Sequence, residues 1–426
     1  MTTAASILTI DDLAAPRLTA LQQQLVDFAE TQTADWQIDK MLDEAVQAAG
    51  VRDSEGAGIS PDFLDRLSAH IGAIRADEGS TVLSQLTLRE RTVRLLRNRL
   101  MFADLLRRYP EIESIEIERP FIVVGMPRTG TTHLVNLIAR DPRRRALPYW
   151  ESMHPFPIHG EGPGADGIDQ RYARIKAEHV WVDQMLPYVS AMHDRFPEAI
   201  EEEIELLDLD FASYVLEWYA QVPSWRDYYL GLDQTQHYAY MKKVLQALTF
   251  LRGPRTWVLK SPQHSEQLPA LMATFPDATV IFTHRDPVAV IQSTATMMAY
   301  GDRIRRHSMN TDWVIDYWTD RVERLLGACV RDRDLIPKEQ SFDISFHQLN
   351  GNELTFLEKL YARNGVELTP EVRSEFESYL ADNPRGKHGQ LRYDLQRDFQ
   401  RDPDEIRKRF DFYFERFDVK PETSQA

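Results

Sequence analysis

The chain has 426 residues, and 50 Lys plus Arg against 66 Asp plus Glu leave a formal charge of −16. With 43% hydrophobic and 10% aromatic residues it can bury a sizeable core, which disfavours global disorder. So acidic a chain is not expected to coat nucleic acid, because phosphate backbones demand a basic surface. A small cationic pocket for an anionic ligand is still allowed.

The single cysteine, Cys329, excludes an intramolecular disulfide and a Cys-rich metal site, and it suits a reducing compartment. The first residues carry Asp11 and Asp12 and no basic residue before Arg17, unlike a secretory leader. No run of about 18 apolar residues is present, so no membrane span is predicted. The expectation is a cytoplasmic globular protein.

Residues 1–115 read as a helical N-terminal extension. Leu18, Leu21, Leu25 and Phe28 recur at helical steps, as do Leu86, Val93, Leu96, Leu100 and Ala103. The Gly-, Ser- and Asp-rich stretch 50–62 is expected as a loop. The texture changes after Pro120. Short apolar runs at 121–124, 257–259, 280–282 and 342–344 have the look of buried strands. Helical patterns at 240–251, 287–300 and 354–363 lie between and after them. This alternation predicts an α/β domain over 116–420, with a parallel sheet flanked by helices.

Residues 161–250 are aromatic and acidic without a clear strand and are expected as a helical insertion. Within it, 196–210 reads as one helix with seven carboxylates. Such a charge run predicts a solvated face above the stripe Ile200, Ile204, Leu207 and Phe211. Glu201, Glu202 and Glu203 are open to pointing at pocket cations or an acceptor instead. Near the end, Asp402-Pro403-Asp404-Glu405 has a cap, a first-turn Pro and a capping Glu in order. Ile406, Phe410, Tyr413 and Phe417 follow as one apolar stripe.

The strongest motif is Gly125-Met126-Pro127-Arg128-Thr129-Gly130-Thr131-Thr132, after a predicted strand and opening a predicted helix. In that context backbone N–H groups and the helix N-terminus converge on an anion. A nucleotide-hydrolysing loop has Lys directly after its second Gly; here Thr131 holds that place and the cation is Arg128. Asp286 follows an apolar strand, but Arg285 precedes it, so the sign of a magnesium-binding carboxylate is weak. The loop suits an anhydride transferred without a metal.

Pro127–Thr132 resembles the 5′-phosphosulfate loop of sulfotransferases that use 3′-phosphoadenylyl sulfate. The wording is nearest to the tyrosylprotein and bacterial branches. Three further segments carry the resemblance, which covers about 120–415. In Thr283-His284-Arg285-Asp286-Pro287, Arg285 is followed eight positions on by Ser293, the family's spacing for an Arg and a Ser on the 3′-phosphate. Asn383-Pro384-Arg385-Gly386-Lys387-His388-Gly389 is similar to the basic Gly loop that closes on the 3′-phosphate, with the order of its cations changed. Lys260, at the end of a predicted strand, corresponds to the lysine that contacts the transferring group.

The resemblance implies donor binding by Arg128, Thr129, Gly130, Thr131, Thr132, Arg285, Ser293, Arg385, Gly386 and Lys387, and charge stabilisation by Arg128 and Lys260. The donor is 3′-phosphoadenylyl sulfate, and no metal is expected. The family's catalytic His would fall at Pro262, so the base lies elsewhere. Glu151, in Tyr149-Trp150-Glu151-Ser152, matches the segment where related enzymes carry a Glu base; His264 and His193 are the alternatives. The expected partner is a small hydrophobic hydroxyl compound, with a homo-oligomer left open. Tyr214, Trp218, Tyr219, Trp225, Tyr228, Tyr229, Met297, Met298 and Tyr300 are candidates for the acceptor wall or for core. A P-loop kinase or NTPase and a non-catalytic nucleotide-binding protein are the rival readings.

Overall fold

In the computed structural model, residues 7–51, 58–384 and 390–422 are described. Seven strands occur among them: β1 (Ile7–Leu8), β2 (Phe121–Val124), β3 (Arg144–Arg145), β4 (Thr256–Lys260), β5 (Thr279–His284), β6 (Ser341–Ser345) and β7 (Gln390–Leu391). Five form the central sheet in the order β3-β4-β2-β5-β6. Every pairing in it is parallel, with Phe121 opposite both Val258 and Thr279. The expected parallel α/β sheet is therefore observed. β1 and β7 pair separately, joining residues 7–8 to residues 390–391.

The sheet separates two apolar layers because successive strand residues point to opposite faces. Ile122 and Val124 join the larger layer, and Phe121 and Val123 the smaller. The smaller layer packs beneath helices Thr131–Ile138, Glu353–Arg363 and Pro370–Asp382. The larger layer holds the long helix Val82–Arg108 together with Met41, Phe63 and Leu67 from the N-terminal helices. Residues before 115 thus share one continuous core with the sheet. The tail stripe Ile406, Phe410, Tyr413 and Phe417 is buried against the same layer.

Three expectations change. The stripe on helix Ala20–Ala29 faces outward: Phe28 is 64% exposed, whereas Gln22 and Ala29 are buried. Gln22 is drawn inward by its capping box with Thr19 and by donating to the Met185 carbonyl at 2.6 Å. The edge strand β3 was not expected, since two arginines carry no apolar signal. The largest change is at 196–210. Only Ile204–Leu207 is α-helix, followed by a 3-10 turn at Asp208–Asp210. Its carboxylates do not form a solvated face. Glu203 and Asp208 are fully buried, and Glu205 and Asp210 nearly so. Arg91 bonds Glu205 and Asp208, and Arg66, Arg99 and His237 bond Asp210. Charges supplied by distant segments make this burial affordable.

Candidate active site

β2 is flanked by β4 on one side and β5 on the other, so the strand order reverses there. In open parallel sheets, ligands bind beyond the carboxyl ends of the strands at such a switch point. The three strands deliver the Gly125 loop, Lys260 and Arg285 to that one edge. A cavity of about 910 Å³ opens above them, within the range of small-molecule sites.

The loop is held in a bent shape. Thr129 is buried, bonds the Met126 carbonyl at 2.7 Å and shares a 2.6 Å hydrogen bond with Thr283 on β5. A Cβ at Gly125 would meet Thr283 Oγ1 at 2.2 Å, so only Gly lets the loop lie so close to β5. Gly130 (φ 95°) caps helix Thr131–Ile138, and Arg128 has φ 69°, a region costly for a residue with a Cβ. Arg128, Gly130, Thr131 and Thr132 line the cavity. The backbone N–H groups of Gly130, Thr131 and Thr132 have no acceptor among the described residues. These unpaired donors beside a cation fit a phosphosulfate group.

Arg285 and Ser293 line the same cavity. Arg285 donates to the Arg128 carbonyl at 2.7 Å, which ties the two motifs together. Its other nitrogens grip Glu422 in a bidentate pair at 2.7 and 2.8 Å. Glu422 was not anticipated; its carboxylate sits where an anionic ligand of Arg285 would. Arg385, Gly386 and Lys387 lie outside the described residues. The neighbouring Leu391, Arg392 and Tyr393 do reach the cavity wall.

Lys260 is nearly fully buried and stands one layer behind the wall. Its ammonium touches Thr132 Oγ1 at 3.2 Å and Glu202 at 2.9 Å, both on the wall. Burial would depress this ammonium, but Glu202, with Glu201 and Glu203, holds it above the ordinary lysine value. Burial, then the charge of Glu201, raises Glu202 despite Lys260.

The three expected base candidates occupy different places. Glu151 is 1% exposed and forms a 2.6 Å ion pair with Arg145 of β3; it does not reach the cavity. His264 is fully enclosed, with Tyr238 on Nδ1 at 2.8 Å and Glu203 on Nε2 at 2.6 Å. Glu203 also accepts from the Lys260 backbone N–H at 2.8 Å, so His264 and Glu203 brace the end of β4. His193 is on the cavity wall, 34% exposed, with Nε2 at 3.0 Å from Glu201. Burial works against the Glu201 carboxylate, yet His193 and Lys260 bring it down to about 2.

Of the expected acceptor residues, Trp218, Tyr219, Met297 and Met298 line the cavity. Tyr214, Trp225, Tyr229 and Tyr300 are buried in the core, and Tyr228 packs at its margin. Arg195 and Arg305 are wall residues that the motifs did not reveal. Among the described residues, no group of three or more His, Cys, Asp or Glu side chains is placed to hold a metal ion, and no helix is long and apolar enough to cross a membrane.

A glycine loop at the sheet edge facing a second cationic strand end has the chemistry of an anion site, and sequence comparison assigns the family. The sulfotransferase family model matches residues 120–370, more than half of the chain, so the chain belongs to that family. It is similar to the omega-hydroxy-beta-dihydromenaquinone-9 sulfotransferase Stf3 of Mycobacterium bovis, at 24% identity over 289 residues. That match covers 63% of this chain and 66% of the relative, so the chain spans just under two thirds of that protein's length.

Solved structures extend the likeness. Sulfotransferase STF9 of Mycobacterium avium matches with a TM-score of 0.79 at 22% identity, covering 91% of this chain and 98% of that one. Sulfotransferase STF1 of Mycobacterium tuberculosis H37Rv gives a TM-score of 0.76 at 26% identity, with coverages of 89% and 99%. Coverage of that extent includes most of the N-terminal helices, so they belong to the shared fold.

Proposed function

We propose that the protein transfers the sulfuryl group of 3′-phosphoadenylyl sulfate to a hydroxyl of a hydrophobic small molecule. The observation that carries this is one cavity lined by the phosphate loop, by Arg285 with Ser293, and by Trp218, Tyr219, Met297 and Met298. The mycobacterial relative, whose name specifies a hydroxylated menaquinone, supports a hydrophobic acceptor class.

The donor supplies an activated sulfuryl group on a phosphate leaving group. In such transfers the protein contributes positioning and charge stabilisation. The N–H groups of Gly130, Thr131 and Thr132 orient the 5′ end, and Arg128 faces it. Lys260 lends positive charge through Thr132. Arg285 and Ser293 hold the 3′-phosphate, once Glu422 releases Arg285. Arg385, Gly386 and Lys387 remain proposed donor contacts on the resemblance alone.

The acceptor proton is assigned to His193 rather than to Glu151 or His264, because only His193 reaches the cavity. Glu201 orients the ring, as a carboxylate does for a catalytic imidazole. Arg128 lies beside it, donating to the Met192 carbonyl at 3.4 Å. Glu202 is a second candidate, since it lines the same wall and its carboxyl is raised.

Calorimetry with 3′-phosphoadenosine 5′-phosphate tests the donor. Micromolar binding without magnesium is expected, whereas a preference for ATP with magnesium would favour the kinase reading. Tight binding without turnover on any of a panel of alcohols and phenols would favour a non-catalytic protein. His193→Gln should lower kcat about 10²- to 10⁴-fold, the usual worth of a general base. If Glu202→Gln has that effect and His193→Gln does not, the proton goes to Glu202.

A further inference from the structure

Of the cavity-wall arginines, Arg128, Arg195, Arg305 and Arg392 form no ion pair among the described residues; Arg128 belongs to the Gly125 loop and Arg392 follows β7, while Arg195 and Arg305 belong to neither segment. Arg195 forms no hydrogen bond or ion pair among the described residues, and its Nε is buried without a partner. Arg305 donates only to the Trp218 carbonyl, at 3.0 Å, and pairs with no carboxylate among them. The nearby acids are bonded to other groups, Glu201 to His193, Glu205 to Arg91 and Asp302 to the Gln221 amide, and act on the two arginines only from beyond ion-pair distance; burial works against the Arg195 guanidinium, yet Tyr219, Tyr149, Glu201 and Glu205 raise it. The two guanidiniums also feel each other. Burial is the main cause depressing Arg305, and Arg195 adds to it against the pull of Asp302.

The fold makes room for this arrangement. Gly301 sits inside helix Pro287–Arg305, where Gly is less favourable than Ala by up to about 1 kcal/mol. The Arg305 guanidinium folds back over it: a Cβ at Gly301 would lie 3.0 Å from Nη1 and 3.2 Å from Cζ. The Tyr219 ring lies under both Arg91, at 4.8 Å, and Arg305, at 5.5 Å. Arg305 lies twelve residues beyond Ser293 on the same helix, roughly 18 Å at 1.5 Å per residue. That is too far to share the phosphate assigned to Ser293.

We propose that Arg195 and Arg305 form an anion clamp at the acceptor end, selecting hydroxyl acceptors that also carry a carboxylate. The inference rests on the sulfotransferase reading above. A partly buried guanidinium without a partner is costly, and its planar fork matches a carboxylate in bidentate fashion. An anion between the two arginines relieves their repulsion. The aromatic and methionine wall beside them takes the apolar body, so the fitting acceptor is an amphipathic hydroxy acid.

The test uses 4-hydroxyphenyl alkanoates with chains of graded length and their methyl esters. Each is titrated by calorimetry into the full chain in the presence of 3′-phosphoadenosine 5′-phosphate. At least one acid is expected to bind 10-fold or more tightly than its ester. That ratio should collapse to near unity in Arg195→Gln and in Arg305→Gln, and Arg305→Lys should keep part of it. Esters that bind as well as every acid, or variants that retain the wild-type ratio, would overturn the clamp. The nucleotide titration on the same samples separates the two readings. Bound nucleotide without acid preference removes the clamp alone, and failure to bind the nucleotide removes the donor reading and the clamp with it.

Discussion

Arg321 is a fully buried guanidinium and Arg195 and Arg305 are partly buried ones, and their surroundings are opposite. Arg321 is fully buried, with Glu217 at 3.0 Å and Glu266 at 2.7 Å, and those carboxylates accept further bonds from Tyr317 and Tyr229. The cavity arginines face an open volume without a carboxylate partner. A cation that the chain itself neutralises holds segments together. One left without an ion pair on a cavity wall is held ready for something the chain does not contain.

That contrast is broken most directly at Arg321. Its replacement by Ala leaves two buried carboxylates unpaired and should cost about 3–5 kcal/mol, the usual penalty for orphaning a buried partner. Thermal melts should show a drop of many degrees or loss of soluble protein, while Arg305→Ala should melt near the wild type. Equal losses in the two variants would erase the distinction.

Arg285 lies between the extremes, since its partner Glu422 is displaceable. Arg285→Ala should weaken 3′-phosphoadenosine 5′-phosphate about 10- to 100-fold, as losing a charge-assisted hydrogen bond of roughly 1.5–3 kcal/mol implies. Retained affinity would refute the 3′-phosphate assignment.

The buried histidines sharpen the contrast through pH. His70 sits between Phe211 and Trp225, and burial, then Arg91, pushes it down to about 3. Burial takes His154 to about 4. Both stay neutral in the fold but take up a proton when unfolded below pH 6.5. Their contribution is therefore complete above pH 6.5 and declines as the pH falls toward 3–4. At pH 5 each should have cost about 2 kcal/mol, at 1.36 kcal/mol per unit. Denaturant titrations from pH 7.5 to 5 should show this slope, and His70→Phe should flatten it; an unchanged slope would count against His70. The smallest expected effect is at Glu422, whose side chain is 39% exposed. Glu422→Ala should tighten nucleotide binding only severalfold, consistent with a partly solvated pair worth about 1 kcal/mol or less.

Much of this architecture is legible in the residues. β2, β4, β5 and β6 follow the apolar runs because a strand buried on both faces needs a nearly continuous hydrophobic stretch. β3 escapes that reading: Arg144 and Arg145 form a strand through their place beside β4, with Arg144 stacked on Phe121 at 3.5 Å and Arg145 on Trp257 at 4.4 Å. The segment 196–210 misleads for a related reason. Its carboxylates look solvated because their partners Arg66, Arg91, Arg99 and His237 are distant in sequence. Arg195 is visible within Ala191-Met192-His193-Asp194-Arg195, but nothing local says that it lacks a partner. Helix Pro287–Arg305 places Arg305 on the cavity through its length, which exceeds the apolar pattern ending near Tyr300.

By itself the sequence determined the alternation of strand and helix, the loop from Gly125 to Thr132 and the Arg285–Ser293 spacing, because each rests on neighbours a few residues apart. Tertiary structure alone decided which carboxylates are neutralised, which of the candidate bases reaches the cavity and which arginines are left without an ion pair. Electrostatic pairing depends on distance in space, and the partners here are separated by up to a hundred residues and more of chain.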